Sequence, residues 1–297
     1  MIDLHIHSTL SDGTLSPLEI MTTARARGIT ALSITDHDTM AAYPEAIRLG
    51  LEHGIEVVPG IEITAHQHEL SIHVLGLGLR HDSVALITGL KSIQEARQER
   101  NRQIMAKLTG FNLAITMEDL PQGNGQTGRP HIARLLVQRQ VVKNEQEAFA
   151  RFLRKDGAAY VQRQLLPVAQ AIAMIREAGG VAVLAHPGTL KLPDATLATL
   201  VRDLATLGLA GIELFHPMNS EKMIQVLGKL CHSCGLITTG GSDFHGRQGD
   251  KAPMGEAGNR RKIPGQLLAT LKTRLANHTP LPLGQHTPSP NLCPSQL

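Results

Sequence analysis

The stretch Met1-Ile2-Asp3-Leu4-His5-Ile6-His7-Ser8-Thr9-Leu10-Ser11-Asp12-Gly13 decides the reading of this chain. Ile2 to Ile6 is an apolar run with strand character, and the two-residue period of a strand puts His5 and His7 on one face. Two neutral imidazoles converging on one point suit a transition metal. Asp12, in the Ser-Asp-Gly turn just beyond, brings a carboxylate to the same strand end. Alone, such a histidine pair is as well explained by an ordinary buried strand. The rest of the chain decides between the two readings.

Further strand-like runs cover Ala31–Thr35, Ile55–Ile63, Ser71–Leu77, Val181–Ala185, Gly211–Phe215 and Leu236–Thr239. Amphipathic helical patterns lie between most of them. Ser16-Pro17-Leu18-Glu19 supplies an N-cap serine, a proline at the first helical position and a capping-box glutamate. Alternating strands and helices with short loops predict an α/β fold with a parallel sheet, and seven such runs suggest seven βα units. From 82 to 166 the rhythm changes to helices alone, over Val84–Leu108, Arg129–Gln138 and Glu145–Arg154. The expected organisation is a sheet domain from 1–81 and 167–276, a helical insertion at 82–166, and a Pro-rich polar tail at 277–297.

Polar residues gather where the strands end. Thr35-Asp36-His37-Asp38 follows the second, Glu62 sits in Pro59-Gly60-Ile61-Glu62 on the third, and His73 lies on the fourth. The fifth ends in His186-Pro187, the sixth in His216-Pro217, and the seventh runs into Gly240-Gly241-Ser242-Asp243-Phe244-His245. Strand C-termini build the active sites of βα barrels. A histidine or carboxylate at every strand end therefore points to a metal site rather than to scattered structural histidines.

Composition narrows the class. The 297 residues are 42% hydrophobic and 19% charged, ordinary for a soluble globular protein, and no apolar run reaches the length of a membrane span. Three cysteines argue against a disulfide framework, and a basic cleavable leader is not seen, so a cytoplasmic protein is expected. Aromatics make up only 2%, few for gripping single-stranded nucleic acid by stacking. The net charge of +3 favours an anionic ligand weakly.

The motifs HxH…SDG, TDHD, PGIE, the fourth-strand histidine, AHP and GGSDFH, in this order, resemble the PHP (polymerase and histidinol phosphatase) family of metal-dependent phosphoesterases. The insertion, with Gly128-Arg129-Pro130-His131-Ile132-Ala133, is similar to a subgroup acting on nucleoside 3′,5′-bisphosphates and the 5′ ends of short oligonucleotides. The resemblance implies a distorted (β/α)7 TIM-like barrel carrying two or three divalent ions, Mn²⁺ foremost with Fe²⁺ and Zn²⁺ as alternatives. Carried over by position, His5, His7, Glu62 and Asp243 would hold one ion. Glu62, His73 and His186 would hold a second, and Asp12, His37 and His245 a third. The chemistry expected is attack on phosphorus by a hydroxide bridging the metals, with Glu62, Asp243, His37 and His216 as its catalytic residues. Arg129, His131, Arg134 and Asp38 are the expected substrate contacts, because an arginine fork at a helix N-terminus fits phosphate.

Removal of the 3′-phosphate from a bisphosphate, with trimming of short 5′-phosphorylated RNA, is the leading expectation; no membrane and no obligate protein partner enters it. Histidinol-phosphate or other small phosphomonoester hydrolysis is the enzymatic alternative, and a non-catalytic metal-binding module the alternative of another class. A deaminase-type amidohydrolase fits less well, since it carries a bridging lysine where Glu62 stands. His53, His66, His68, His81, His232, His278 and His286 read as bystanders, Cys231-His-Ser-Cys234 as plain helix, and Gln94–Arg102 as a solvated helix face or a guide for RNA phosphates.

Overall fold

The computed structural model describes residues 1–277 apart from 112, 114, 123, 124 and 248; the expected tail beyond Asn277, with His278 and His286, lies outside them. Strand β1 (Ile2–Ile6) leads through α1 (Pro17–Ala26) to the parallel β2 (Ala31–Ile34), with Asp3 opposite Leu32. Ser16 caps α1: its hydroxyl accepts from the Glu19 amide, and the Glu19 carboxylate accepts from the Ser16 amide. After α2 (Tyr43–His53), β3 (Glu56–Val57) pairs parallel to the other side of β2. This gives a three-stranded sheet of order β1-β2-β3.

The single strand expected at Ile55–Ile63 is broken. Pro59 has no N–H to donate and ends the ladder, so β4 (Gly60–Gln67) joins a different sheet from β3. Nor is that sheet wholly parallel. β4 turns through left-handed His68 into β5 (Leu70–Leu77), and the two form an antiparallel hairpin with Gln67 opposite Leu70. Helices α3 (Val84–Thr109), α4 (Arg129–Gln138) and α5 (Glu145–Ala148) follow, the last continued by a single π turn over Phe149–Leu153. The chain then returns through β6 (Leu166–Pro167), α6 (Val168–Glu177), β7 (Val181–Leu184), α7 (Asp194–Thr206), β8 (Gly211–Phe215), α8 (Glu221–Cys234) and β9 (Ile237–Gly240). These complete a six-stranded sheet of order β6-β4-β5-β7-β8-β9. A small β10 (Glu256–Ala257) and β11 (Arg261–Lys262) hairpin precedes α9 (Gln266–Ala276).

Among the described residues the two sheets do not close into a continuous hydrogen-bonded barrel. Single bridges, Ile6 to Phe244 and His37 to Glu62, join them. The joins run straight through the histidine-rich motifs: the His7 amide donates to the Phe244 carbonyl (2.9 Å), Asp243 to His5 (3.0 Å) and Asp38 to Glu62 (2.9 Å).

One core packs the sheet against the helices (Ile61, Ile63, Val74, Ile172, Ile175, Val201), and a second fills the helical segment (Ile104, Leu108, Ile132, Leu136, Phe152). The long α3 belongs to both: Leu86, Leu90 and Ile93 lie in the first, Ile104, Met105 and Leu108 in the second. The helical segment is therefore rooted in the sheet's core rather than divided from it at residue 82. No helix among the described residues is long and apolar enough to cross a membrane.

Candidate metal centre

The strand period places His5 and His7 together as the sequence predicts. Both are buried, and their Nε2 atoms lie 3.1 Å apart. Around them converge Asp12 from the following turn, His37 beyond β2, Glu62 from β4, His73 from β5, His186 beyond β7, and Asp243 and His245 beyond β9. His73 lies inside its strand rather than at a C-terminal end; the hairpin reverses β5, so its first half shares the rim with the second half of β4. Glu62 is central: its Oε1 is 2.8 Å from both His73 Nδ1 and His186 Nε2, and its Oε2 is 2.8 Å from His37 Nδ1. Four groups have ligand atoms close enough to share an ion: His7, Asp12, His37 and His245; His5, Glu62 and His186; His5, His7 and Asp243; His37, Glu62 and His73.

The donor set fits divalent cations. Two imidazole nitrogens 3.1 Å apart repel unless a cation or a proton lies between them. Asp12 Oδ1, His37 Nδ1 and Glu62 Oε2 are buried without a hydrogen bond, although His37 Nδ1 and Glu62 Oε2 are close. Such atoms have proximity without hydrogen-bond geometry, as groups aimed at a common third point would. Imidazoles with carboxylates suit Mn²⁺, Fe²⁺ and Zn²⁺ alike. Burial would raise the Glu62 carboxyl, but His37, His73 and His5 outweigh it and hold it well below its ordinary range. Burial would lower His7, yet bonds to Asp243 and Glu62 push it up to about 10. Ions binding here must displace protons.

Three further carboxylates set the ligand geometry, and sequence reasoning passed over two of them. Asp36 accepts from the Ser8 amide (2.7 Å) and from the hydroxyls of Ser8 and Ser11 (2.5 Å each), fixing the turn between His7 and Asp12. Asp3 accepts from the Ser242 amide (3.0 Å) and hydroxyl (2.5 Å) and ties β1 to the Ser242–His245 turn. Glu213, in the middle of the apolar run of β8, is fully buried against His5 and His186. Its signal was a carboxylate at an interior strand position. Asp38, His186 and Asp243 take positive φ (57°, 29° and 54°), the left-handed strain that side chains adopt where surrounding bonds over-determine them.

Beside the centre opens a cleft of about 900 Å³, whose lining includes Asp12, His37 and His73 together with Arg97, Arg100, Arg129 and Arg163. Arg129 and His131, the expected substrate contacts, are among its lining residues. Arg129 lies over the Phe149 ring (5.8 Å) and donates to the Leu153 carbonyl (3.2 Å). His131 Nδ1 accepts from the Gly128 amide, and burial with nearby Arg134 lowers it to about 4.

Several expectations need correcting. Asp38, expected as a substrate contact, does not line the cleft. It is fully buried, and its Oδ2 accepts from Arg97 and, at 2.8 Å, from Arg163. Arg134 lies outside this cleft, its guanidinium on the Asp12 carbonyl (2.9 Å), where Arg247 also bonds. Only one side of Gln94–Arg102 is solvated. Gln94 donates to the Asp38 carbonyl, Arg97 to its carboxylate and Arg100 to Val161, while Glu99 and Arg102 stay outside. His66 and His68 line the cleft, and His81 packs on Tyr43. His216 is buried at the centre, with Nδ1 accepting from Met218 and Nε2 unbonded, 3.7 Å from Asp243. Cys231 and Cys234 sit in α8 as plain helix positions.

Comparison with known proteins agrees with this geometry. The PHP domain model matches residues 3–157. The chain is 35% identical over 250 residues to a 3′,5′-nucleoside bisphosphate phosphatase of Chromobacterium violaceum, covering 82% of this chain and 87% of that one. It is 33% identical over 244 residues to a 5′-3′ exoribonuclease of Haemophilus influenzae, covering 82% and 89%. A solved structure from Bifidobacterium adolescentis, assigned as a metal-dependent phosphoesterase, superposes with a TM-score of 0.80 at 28% identity, over 92% of this chain and 95% of that one. The chain belongs to the PHP-domain family of metal-dependent phosphoesterases.

Proposed function

We propose that this protein removes the 3′-phosphate of nucleoside 3′,5′-bisphosphates, and that the same site trims 5′ nucleotides from short 5′-phosphorylated RNA. The observation that carries the reading is the cleft's charge. Arg97, Arg100, Arg129 and Arg163 line one cavity with the metal-ligand candidates, and the buried Asp38 compensates only part of that charge. A second phosphate, away from the one being cleaved, is the group such a cleft accepts. Histidinol phosphate would bring an ammonium against the same arginines. The similarity to a bisphosphate phosphatase and to an exoribonuclease supports the same class of substrate.

His5, His7, Glu62 and Asp243 would hold one ion, Glu62, His73 and His186 a second, and Asp12, His37 and His245 a third. Such ions, Mn²⁺ foremost, neutralise phosphate oxygens and supply hydroxide at neutral pH. The chain's own residues do the rest. The arginines fix the remote phosphate and so orient the scissile one. Glu62 sets the spacing of the ligands around it. His216, whose Nδ1 accepts the Met218 amide, sets its Nε2 3.7 Å from Asp243 and would steady that carboxylate as a ligand.

The test compares adenosine 3′,5′-bisphosphate, AMP, histidinol phosphate and a short 5′-phosphorylated RNA with the Mn²⁺-loaded protein. EDTA-sensitive conversion of the bisphosphate to AMP is expected, with mononucleotides released stepwise from RNA. Turnover of histidinol phosphate alone would overturn the reading.

A further inference from the structure

We infer that Glu213 is a positioning residue that sets two ligands of the centre at once. This rests on the metal-binding reading above but concerns a residue outside the ligand set. Glu213 is fully buried in β8. Its Oε1 lies 2.9 Å from His5 Nδ1, and its Oε2 accepts from the His186 backbone amide at 2.7 Å. The strand end that carries it is held in turn, because Asn219 Nδ2 donates to the Glu213 and Leu214 carbonyls at 3.0 Å each.

Each bond has a separate consequence. A carboxylate only accepts, so His5 must carry its proton on Nδ1, which leaves the Nε2 lone pair facing His7, Glu62 and Asp243. The second bond pins the amide of His186, whose φ of 29° is a conformation side chains rarely adopt. Released from it, the backbone would relax and draw His186 Nε2 away from Glu62. Gly241 leaves the room required: a Cβ there would stand 2.9 Å from Glu213 Oε1. One side chain thus fixes the tautomer of one ligand, on β1 of the three-stranded sheet, and the backbone of another, just beyond β7 of the six-stranded sheet.

Glutamine at 213 is close to isosteric but offers a single acceptor to two donors. If its oxygen stays on the His186 amide, its NH₂ meets His5 Nδ1. The imidazole must then shift its proton to Nε2 and withdraw the lone pair from the centre.

The experiment is equilibrium dialysis of the full chain against Zn²⁺ with metal analysis, on wild type and Glu213→Gln, each checked for folding by circular dichroism. The variant is expected to stay folded and to bind the ions that need His5 and His186 about 10- to 100-fold more weakly, with the ion at Asp12, His37 and His245 held as in wild type. An unchanged binding curve would overturn the inference and leave the metal-binding reading intact, whereas a wild type that binds no Zn²⁺ would remove both. Unfolding of the variant would also overturn it, since Glu213 would then hold the fold rather than two ligands. A second measurement needs no substitution: ¹⁵N shifts of the Zn²⁺-loaded wild type should show His5 protonated at Nδ1 and coordinating through Nε2, and the reverse would overturn the inference.

Discussion

Replacing Asp38 by asparagine tests how the arginine cleft is held. In the native protein Oδ2 accepts from Arg97 and from Arg163, and Oδ1 accepts from the Thr64 amide at 3.1 Å. Asparagine has one acceptor and one donor end. With its oxygen on Thr64, its NH₂ faces both guanidiniums; flipped, its NH₂ faces the Thr64 N–H. Either way a buried donor meets a donor, and the two arginine side chains, only 11% and 9% exposed, lose their counter-charge. Removing one partner of a buried ion pair costs about 3–5 kcal/mol. At about 2 °C per kcal/mol for a chain of this length, the thermal midpoint should fall roughly 6–10 °C. The assay is thermal unfolding followed by circular dichroism at pH 7, with the same metal load in both proteins. Burial would raise the Asp38 carboxyl, but Arg97 and Arg163 outweigh it and hold it well below its ordinary 3.8. Its contribution is therefore present above that ordinary value and lost as pH falls through the lower folded one, so the gap between wild type and variant closes only in strong acid. A variant with the wild-type midpoint at pH 7 would show that Asp38 does not hold Arg97 and Arg163 in place.

Arg129→Ala should raise KM for a bisphosphate about 10- to 100-fold, as expected for losing a charge-assisted bond of about 1.5–3 kcal/mol, while KM for p-nitrophenyl phosphate stays near wild type; equal effects on both would remove the anchoring role. His131, lowered by burial to about 4, should remain neutral at pH 5–7 in an NMR titration. With its folded pKa below the unfolded value, its contribution to stability is present above about pH 6.5 and declines towards pH 4, by roughly 3 kcal/mol in all; titration at pH 6 or higher would contradict this. Gly241→Ala would place a Cβ 2.1 Å from His5 Cβ. Displacing β1 should cost roughly 3 kcal/mol, read as a lowered urea midpoint, and a wild-type midpoint would show that the approach is not tight.

What could be read from the sequence followed from periodicity and punctuation. β1 and α4 have the expected bounds, and the ligand candidates meet because strand ends share a rim. The hairpin of β4 and β5 was hidden because its turn, Gln67-His68-Glu69-Leu70, contains none of the glycine or asparagine that marks most two-residue turns. Glu213 was hidden because a carboxylate inside Gly-Ile-Glu-Leu-Phe reads as part of the apolar strand. The arginine cleft was legible in principle. The apolar stripe Leu86, Leu90, Ile93 continues at helical spacing through the buried Arg100 and Asn101 to Ile104 and Leu108. Two polar residues on a buried stripe indicate that the helix faces something charged there, and reading the run by its density of charge alone missed this.

In the proposed function one phosphate sits on the arginines while the other meets the ligand cluster. A crystal structure with Mn²⁺ and AMP, the expected product, tests it most directly, with anomalous scattering to place the ions. Mn²⁺ is expected among His5, His7, Glu62, His73, His186 and Asp243, with the 5′-phosphate of AMP hydrogen-bonded in the cleft of Arg97, Arg129 and Arg163. A 5′-phosphate lying on the ions with the arginines unengaged, or a ligand cluster that takes up no Mn²⁺, would contradict it.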